Sequence, residues 1–245
     1  MNLSNNTVLI TGGASGIGLA LAARFLQAGS TVVVCGRRAD KLAEAQGQHP
    51  GLHTHVTDVA TAADREALAA WVTAEFPGLN VLVNNAGIQN HVRIADLATD
   101  WETHRQELAI NLEAPMHLTA LLLPQLQRQP GAAVINVTSG LAFVPSAAVP
   151  LYCATKAALH SFTLSLRRQV AGTGVQVLEI VPPAVDTDLG GPGLHTHGTP
   201  LNAFADAVMA RLAAGEPEVG YGMSEQFRLA SRTELDASFQ RLNNR

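Results

Sequence analysis

Thr11-Gly12-Gly13-Ala14-Ser15-Gly16-Ile17-Gly18 follows the first apolar run of the chain, Thr7–Ile10, and opens a helical pattern over Gly16–Ala28. Glycines at such a junction let the backbone approach a pyrophosphate closely, and the positive end of the following helix favours its negative charge. A tight strand-to-helix connection also uses glycine. The place of this turn, in the first βα unit of the chain, favours the dinucleotide reading. Its spacing is Gly-x-x-x-Gly-x-Gly, not the general Gly-x-Gly-x-x-Gly fingerprint.

Further runs rich in β-branched residues follow at Thr31–Cys35, Leu52–Val56, Val81–Asn84, Ala132–Thr138 and Val175–Val181. They are apolar without clean alternation, as expected of strands covered on both faces. Helical patterns lie between them at Asp40–Gln48, Ala62–Phe76, Trp101–Leu126 and Tyr152–Ala171, and Pro115 and Pro124 are positioned to bend or shorten the third of these. Alternation of this kind predicts right-handed crossovers and a doubly wound parallel sheet of the Rossmann type, an α/β fold in three α/β/α layers. No linker or repeat divides the chain, so one domain over residues 1–245 is expected. After Pro182 the pattern loosens. Gly190-Gly191-Pro192-Gly193 predicts a mobile loop, and residues about 188–215 are expected to border the substrate, with helices near Asn202–Ala214 and Glu234–Leu242.

Composition excludes several classes. An apolar fraction of 47% rules out disorder. A net charge of −4 argues against nucleic acid or an anionic membrane as a partner. Cys35 and Cys153 form no disulfide framework and lack metal-ligand spacing. The first residues lack the basic start and apolar run of a signal peptide, and no apolar stretch is long enough to span a bilayer. The reading is a cytoplasmic protein.

The chemistry gathers at predicted strand ends. Cys35-Gly36-Arg37-Arg38 ends the second strand, where an acidic residue would bind a ribose 2′-hydroxyl. A glycine and two guanidiniums suit a 2′-phosphate instead, so NADP(H) is the better match and NAD(H) the second. Asp58-Val59 follows the third strand and is placed to close over the adenine. Asn84-Asn85-Ala86-Gly87 follows the fourth and suits a polar hinge beside the cofactor. Ser139 ends the fifth strand, and Tyr152-Cys153-Ala154-Thr155-Lys156 begins the next helix. Four residues of spacing put the phenol and the ammonium on one helix face. Tyr152 and Lys156 are each one of only two residues of their type. A neighbouring cation lowers the tyrosine pKa and fits it for proton transfer, while Ser139 can hydrogen-bond the same carbonyl oxygen. Asn111, inside an apolar helix, is read as a water-holding position in a proton path.

Taken together, Thr11-Gly12 with Gly16 and Gly18, Asp58, Asn84-Asn85-Ala86-Gly87, Asn111, Ser139, Tyr152 with Lys156, and Pro182 with Thr187 resemble the short-chain dehydrogenase/reductase family over Thr7 to about Thr187. The resemblance implies a Rossmann fold, one nicotinamide cofactor and no metal. It assigns Tyr152 as catalytic acid/base, with Lys156 on the nicotinamide ribose. Ser139 orients the substrate and Asn111 supports a water relay. Arg37 stands where NADP-preferring members carry a basic residue. The implied cofactor set is Thr11, Gly12, Ser15, Gly16, Ile17, Gly18, Arg37, Arg38, Asp58, Val59, Asn85, Ala86, Gly87, Tyr152, Lys156, Pro182, Val185 and Thr187. Within the family, residues 178–189 and 139–145 are similar to a bacterial subgroup labelled DltE-like. The chain departs from the family pattern at Pro183, where glycine is usual, and at Tyr221-Gly222, which with the last helix replaces a glycine-rich ending.

These readings converge on an NADP(H)-dependent oxidoreductase that interconverts a ketone or aldehyde and an alcohol. The alternative is a catalytically silent dinucleotide-binding sensor or scaffold on the same fold, which would have no use for Asn111, Ser139, Tyr152 and Lys156 as a set. Epimerase or dehydratase chemistry fits neither the glycine spacing nor the lack of a large C-terminal substrate domain. Leu141, Phe143, Val144 and Pro145 with the Leu189–Leu201 loop are expected to line an apolar substrate pocket. His195-x-His197 has no third ligand nearby, so no metal is expected. The apolar surface of Trp101–Leu126 and Tyr152–Ala171 predicts a homodimer or homotetramer.

Overall fold

Val8 and Ile10 point to one side of strand β1 (Thr7–Thr11) and Leu9 to the other, and the two sides enter separate apolar cores. The same partition runs through β2 (Thr31–Gly36), β4 (Val81–Asn84), β5 (Ala133–Val137) and β6 (Gln176–Val181). This is why these strands read as continuous apolar runs. With β3 (His53–Val56) and β7 (Glu218–Gly220) they form a seven-stranded parallel sheet in the order β3-β2-β1-β4-β5-β6-β7. The computed structural model describes residues 1–95 and 101–244.

Helices cover both faces. Phe25 of α1 (Gly16–Gln27), Leu42 of α2 (Ala39–Gln48) and Phe204 of α7 (Leu201–Ala213) enter one core. Leu68 of α3 (Ala62–Glu75), Leu118 and Leu122 of α5 (Ala114–Leu126) and Leu166 of α6 (Pro150–Gln169) enter the other. The fold is therefore the expected doubly wound α/β/α architecture. The strand order reverses at β1, and a cleft opens beyond the carboxyl ends of the strands there.

Several elements differ from expectation. The helical pattern Trp101–Leu126 is interrupted. It runs as α4 (Trp101–Leu108), a π-helical turn at Ala109–Glu113, and α5. The Ala114 N–H reaches back to the Ala109 carbonyl, and Pro115 has no N–H with which to continue the α-helical ladder. Asn111 lies within this turn. From Leu201 onward the expected substrate loop is α7, docked on α1. Phe25 and Phe204 are fully buried, worth about 1.5–3 kcal/mol each, more than the half-exposed Arg24–Asp206 pair at 2.7 Å can supply. Strand β7 and helix α8 (Met223–Leu229) were not anticipated, and the last helix, α9, runs Arg232–Asn243.

Candidate active site

The cleft at the switch point measures about 1680 Å³ and runs from the β1–α1 turn, past the ends of β4 and β5, to α8 and α9. Of the residues singled out above, it brings together Gly12, Ser15, Gly16, Ile17, Arg37, Arg38, Asp58, Val59, Asn85, Ala86, Gly87, Ser139, Tyr152, Lys156, Pro182, Val185 and Thr187.

Three expected residues lie behind its wall. Thr11 is buried, and its Oγ accepts from the N–H groups of Asn85 and Ala86, each at 3.0 Å. It latches the glycine turn to the loop after β4. Gly18 belongs to the same latch. A Cβ there would lie 2.5 Å from the Gly12 carbonyl oxygen and 2.5 Å from Asn85 Nδ2, so only glycine lets α1 approach the turn. Asn111 clamps the loop after Gly87. Its Oδ1 accepts from Ile88 N at 2.9 Å, and its Nδ2 donates to Ile88 O at 2.8 Å.

The turn fits a dinucleotide. Gly12 and Gly16 have φ of 65° and 54°, where a side chain would be strained. No side-chain cap takes up the first-turn N–H groups of α1. At the end of β2, a Cβ on Gly36 would meet only Ala14, at 4.0 Å. Arg37 lies loosely beside Asp58, 4.0 Å away and half exposed, and Arg38 Nη2 donates to Ser15 Oγ at 3.4 Å. Both guanidiniums line this end of the cleft, each held by one long contact.

At the other end, Ser139 caps the short 3₁₀ turn Gly140–Ala142, its Oγ accepting from Leu141 N at 3.1 Å. The same hydroxyl lies beside the Tyr152 phenol, close enough to favour its charged form. Lys156 Nζ donates to Val137 O at 2.8 Å and lies 5.6 Å from the Tyr152 ring centroid. The expected lowering of the phenol is not found. Burial holds Tyr152 above its ordinary pKa, with Ser139 opposing only in part. The ammonium is committed to a backbone carbonyl and is itself pushed down to about 8 by burial. The Tyr152 phenol is therefore protonated at neutral pH.

The apolar wall differs from the expected one. Leu141 lines the cleft, but the 3₁₀ turn rolls the following residues away from it. Phe143 packs on His160 with ring centroids 4.7 Å apart, and Val144 is buried in the core. The wall is completed by Leu189, Met223, Phe227 and Leu229. The α8 residues were missed because their segment is too short for periodicity, although Gly222, at φ 54°, marks its start. Pro183 also lines the cleft. The segment beyond it is pinned by Thr199 N–H to Ala184 O at 2.8 Å and Asp186 N–H to Thr199 O at 2.9 Å. His195 borders the cleft and His197 is exposed.

Behind Ser139, the fully buried Glu179 is well paired. It accepts from Thr138 Oγ at 2.6 Å and faces His160 Nδ1 at 2.9 Å, which raises the imidazole pKa. His160, Glu179 and Glu218 place ligand atoms within 4.8 Å of one another, but these partners and Arg228, 3.8 Å from Glu218, already balance the carboxylates.

The family model for short chain dehydrogenases matches residues 6–196. The uncharacterized oxidoreductase DltE of Bacillus subtilis (strain 168) is 46% identical over 248 residues, covering 99% of this chain and 98% of its own. An uncharacterized oxidoreductase of Staphylococcus epidermidis is 32% identical over 189 residues, 76% of this chain and 81% of its own. A short-chain dehydrogenase from Streptomyces avermitilis superposes with a TM-score of 0.84 at 27% identity, covering 99% of this chain and 96% of that one. A short chain dehydrogenase from Burkholderia cenocepacia J2315, solved in complex with NADP, also gives 0.84, at 25% identity over 98% and 99% of the two chains. With the switch-point cleft and its glycine turn, these matches establish that the chain belongs to the short-chain dehydrogenase/reductase family of oxidoreductases.

Proposed function

We propose that this oxidoreductase is NADP(H)-dependent and interconverts a hydrophobic ketone or aldehyde and the corresponding alcohol. The observation that carries the reading is the Ser139–Tyr152 hydroxyl pair beside Lys156, at the far end of the cleft from Arg37 and Arg38. When bound, the cofactor supplies or accepts the hydride. The chain's own residues do the rest. Ser139 offers a hydrogen bond to the substrate oxygen, and Tyr152 donates its proton there during reduction or takes one during oxidation. Lys156 supplies the positive charge that stabilises a developing phenolate. Leu141, Leu189, Met223 and Phe227 give the substrate an apolar wall and exclude water from its reacting carbon.

The two arginines and the NADP complex of the Burkholderia relative support NADP(H) over NAD(H). A screen of aromatic and aliphatic ketones with NADPH, and of alcohols with NADP+, tests the reading by change in reduced-nicotinamide absorbance. Tight cofactor binding without turnover of any compound would favour a silent sensor on this fold.

We further propose a cytoplasmic homo-oligomer, assembled through α4, α5 and α6. Among the described residues no helix is long and apolar enough to cross a membrane. Trp101, Met116 and Leu164, on these three helices, are 47%, 40% and 44% exposed, a cost a monomer would bear. Sedimentation at micromolar concentration is expected to give a dimer or tetramer. A lone 25.7 kDa species would overturn this assembly.

A further inference from the structure

Glu107 of α4 is completely buried. Its Oε1 has no hydrogen-bond partner among the described residues, and its Oε2 receives a long bond from Asn90 Nδ2, at 3.4 Å, with the Asn90 backbone N–H adding a partial offset to the cost of burial. The contrast with Glu179, equally buried but satisfied by a hydroxyl and an imidazole, is sharp. A carboxyl group left so is costly to ionise unless a cation lies within reach. Helix α4 packs against α6, and of the α6 residues Lys156, Tyr152 and Cys153 are close enough to be electrostatically coupled to Glu107. From the loop after β4 comes Asn90, and His104 lies one turn earlier on α4 with a buried Nδ1 that lacks a partner among the described residues. Lys156 is the cation among them, and its own contact is a carbonyl, not a carboxylate.

We propose that Glu107 is a positioning residue of this site, a buried carboxyl group whose charge holds the Lys156 ammonium in the state that proton transfer through Tyr152 requires. The role rests on the oxidoreductase reading above. Burial pushes the Glu107 carboxyl up to about 7 and the Lys156 ammonium down to about 8, so the two change charge in adjoining ranges. Below about 7 the carboxyl is neutral and the lysine is charged without help. As pH rises, Glu107 ionises first, and its negative charge opposes loss of the lysine proton. The same charge disfavours the phenolate. The first effect preserves the cation that stabilises the phenolate formed on proton transfer, and the second keeps Tyr152 protonated until then, so loss of the Lys156 charge, the alkaline limit on carbonyl reduction, is delayed toward higher pH.

Infrared difference spectra taken without substrate read the carboxyl directly. In the wild type a protonated-carboxyl band is expected to vanish with a midpoint near 7, and in Glu107→Gln to be missing. A wild-type band lost only in the ordinary carboxylate range overturns the proposal, whatever the enzyme does. Stability gives a second readout. Between the ordinary carboxylate range and about 7 the folded chain holds a proton that the unfolded chain has released, so wild-type stability falls as pH rises through that window. Glu107→Gln should lose less Tm over the same interval. In kcat/KM for NADPH-dependent reduction, the alkaline limb should move to lower pH in Glu107→Gln by on the order of half a unit to one unit. Glu107→Asp, which keeps the charge, should restore it. An unmoved limb beside a confirmed infrared band would reduce Glu107 to a structural acid and overturn the positioning role. Failure to reduce any carbonyl would sink the oxidoreductase reading, while the infrared midpoint would still judge the proton.

Discussion

Tyr152→Phe is expected to lower carbonyl reduction by about 10²–10⁴-fold, the usual contribution of a placed general acid, while NADPH binding persists. The ring belongs to a small apolar cluster with Val149 and Cys153, flanked by Leu141 and Leu189, and phenylalanine fills the same space. The phenol's partner is the Ser139 hydroxyl, which keeps its bond from Leu141 N after the change. At most one hydroxyl–hydroxyl interaction is lost, about 0.5–1.5 kcal/mol, and a polar group is no longer buried, so the fold should survive. The proton donor alone disappears. Turnover of an accepted ketone, paired with fluorescence titration of NADPH, checks this. Near-normal turnover would sink the assigned acid. Ser139→Ala is a less clean probe, because it also uncaps the 3₁₀ turn.

Arg37→Ala is expected to weaken NADPH about ten- to a hundredfold and leave NADH nearly unchanged. A charge-assisted contact to a phosphate is worth roughly 1.5–3 kcal/mol, which is that range in affinity. The loose 4.0 Å approach to Asp58 costs little to give up when a phosphate competes for the guanidinium. Gly36 leaves the space in which the phosphate would lie. Arg38, which reaches Ser15 across the same opening, should carry a smaller share. Comparing kcat/KM for both cofactors in the wild type and in each single variant decides the matter. Equal use of the two cofactors by the wild type would make both arginines mere surface charges.

Residues that act through local geometry were legible in the sequence. The glycine turn, the arginines after β2, and the Ser139, Tyr152 and Lys156 set all reach one cleft, because each follows a strand end or opens a helix. Six of the seven strands were visible as apolar runs. The seventh has only three residues, Glu218–Gly220, and owes its place to pairing with β6. The π-turn at Ala109–Glu113 is a matter of hydrogen-bond register, which a continuous helical pattern hides. Pro115 was its one outward sign. Glu107 was invisible for a different reason. A glutamate in a polar helix such as α4 reads as solvated, and only tertiary packing buries it. The depressed phenol failed for the same cause, since burial depends on distant chain and outweighs the opposing Ser139 hydroxyl.

The reversal of strand order at β1 has a consequence for how the protein can change. Arg37 hangs from β2 and contacts Asp58, whereas Tyr152 stands on α6 and contacts Ser139 after β5, with no partner in common. Groups that share no contacts contribute free energies that add. Cofactor preference can therefore be rewritten on one flank of the sheet and substrate choice on the other, each without undoing the other. That independence leaves selection, or a designer, two dials to turn separately on a single scaffold.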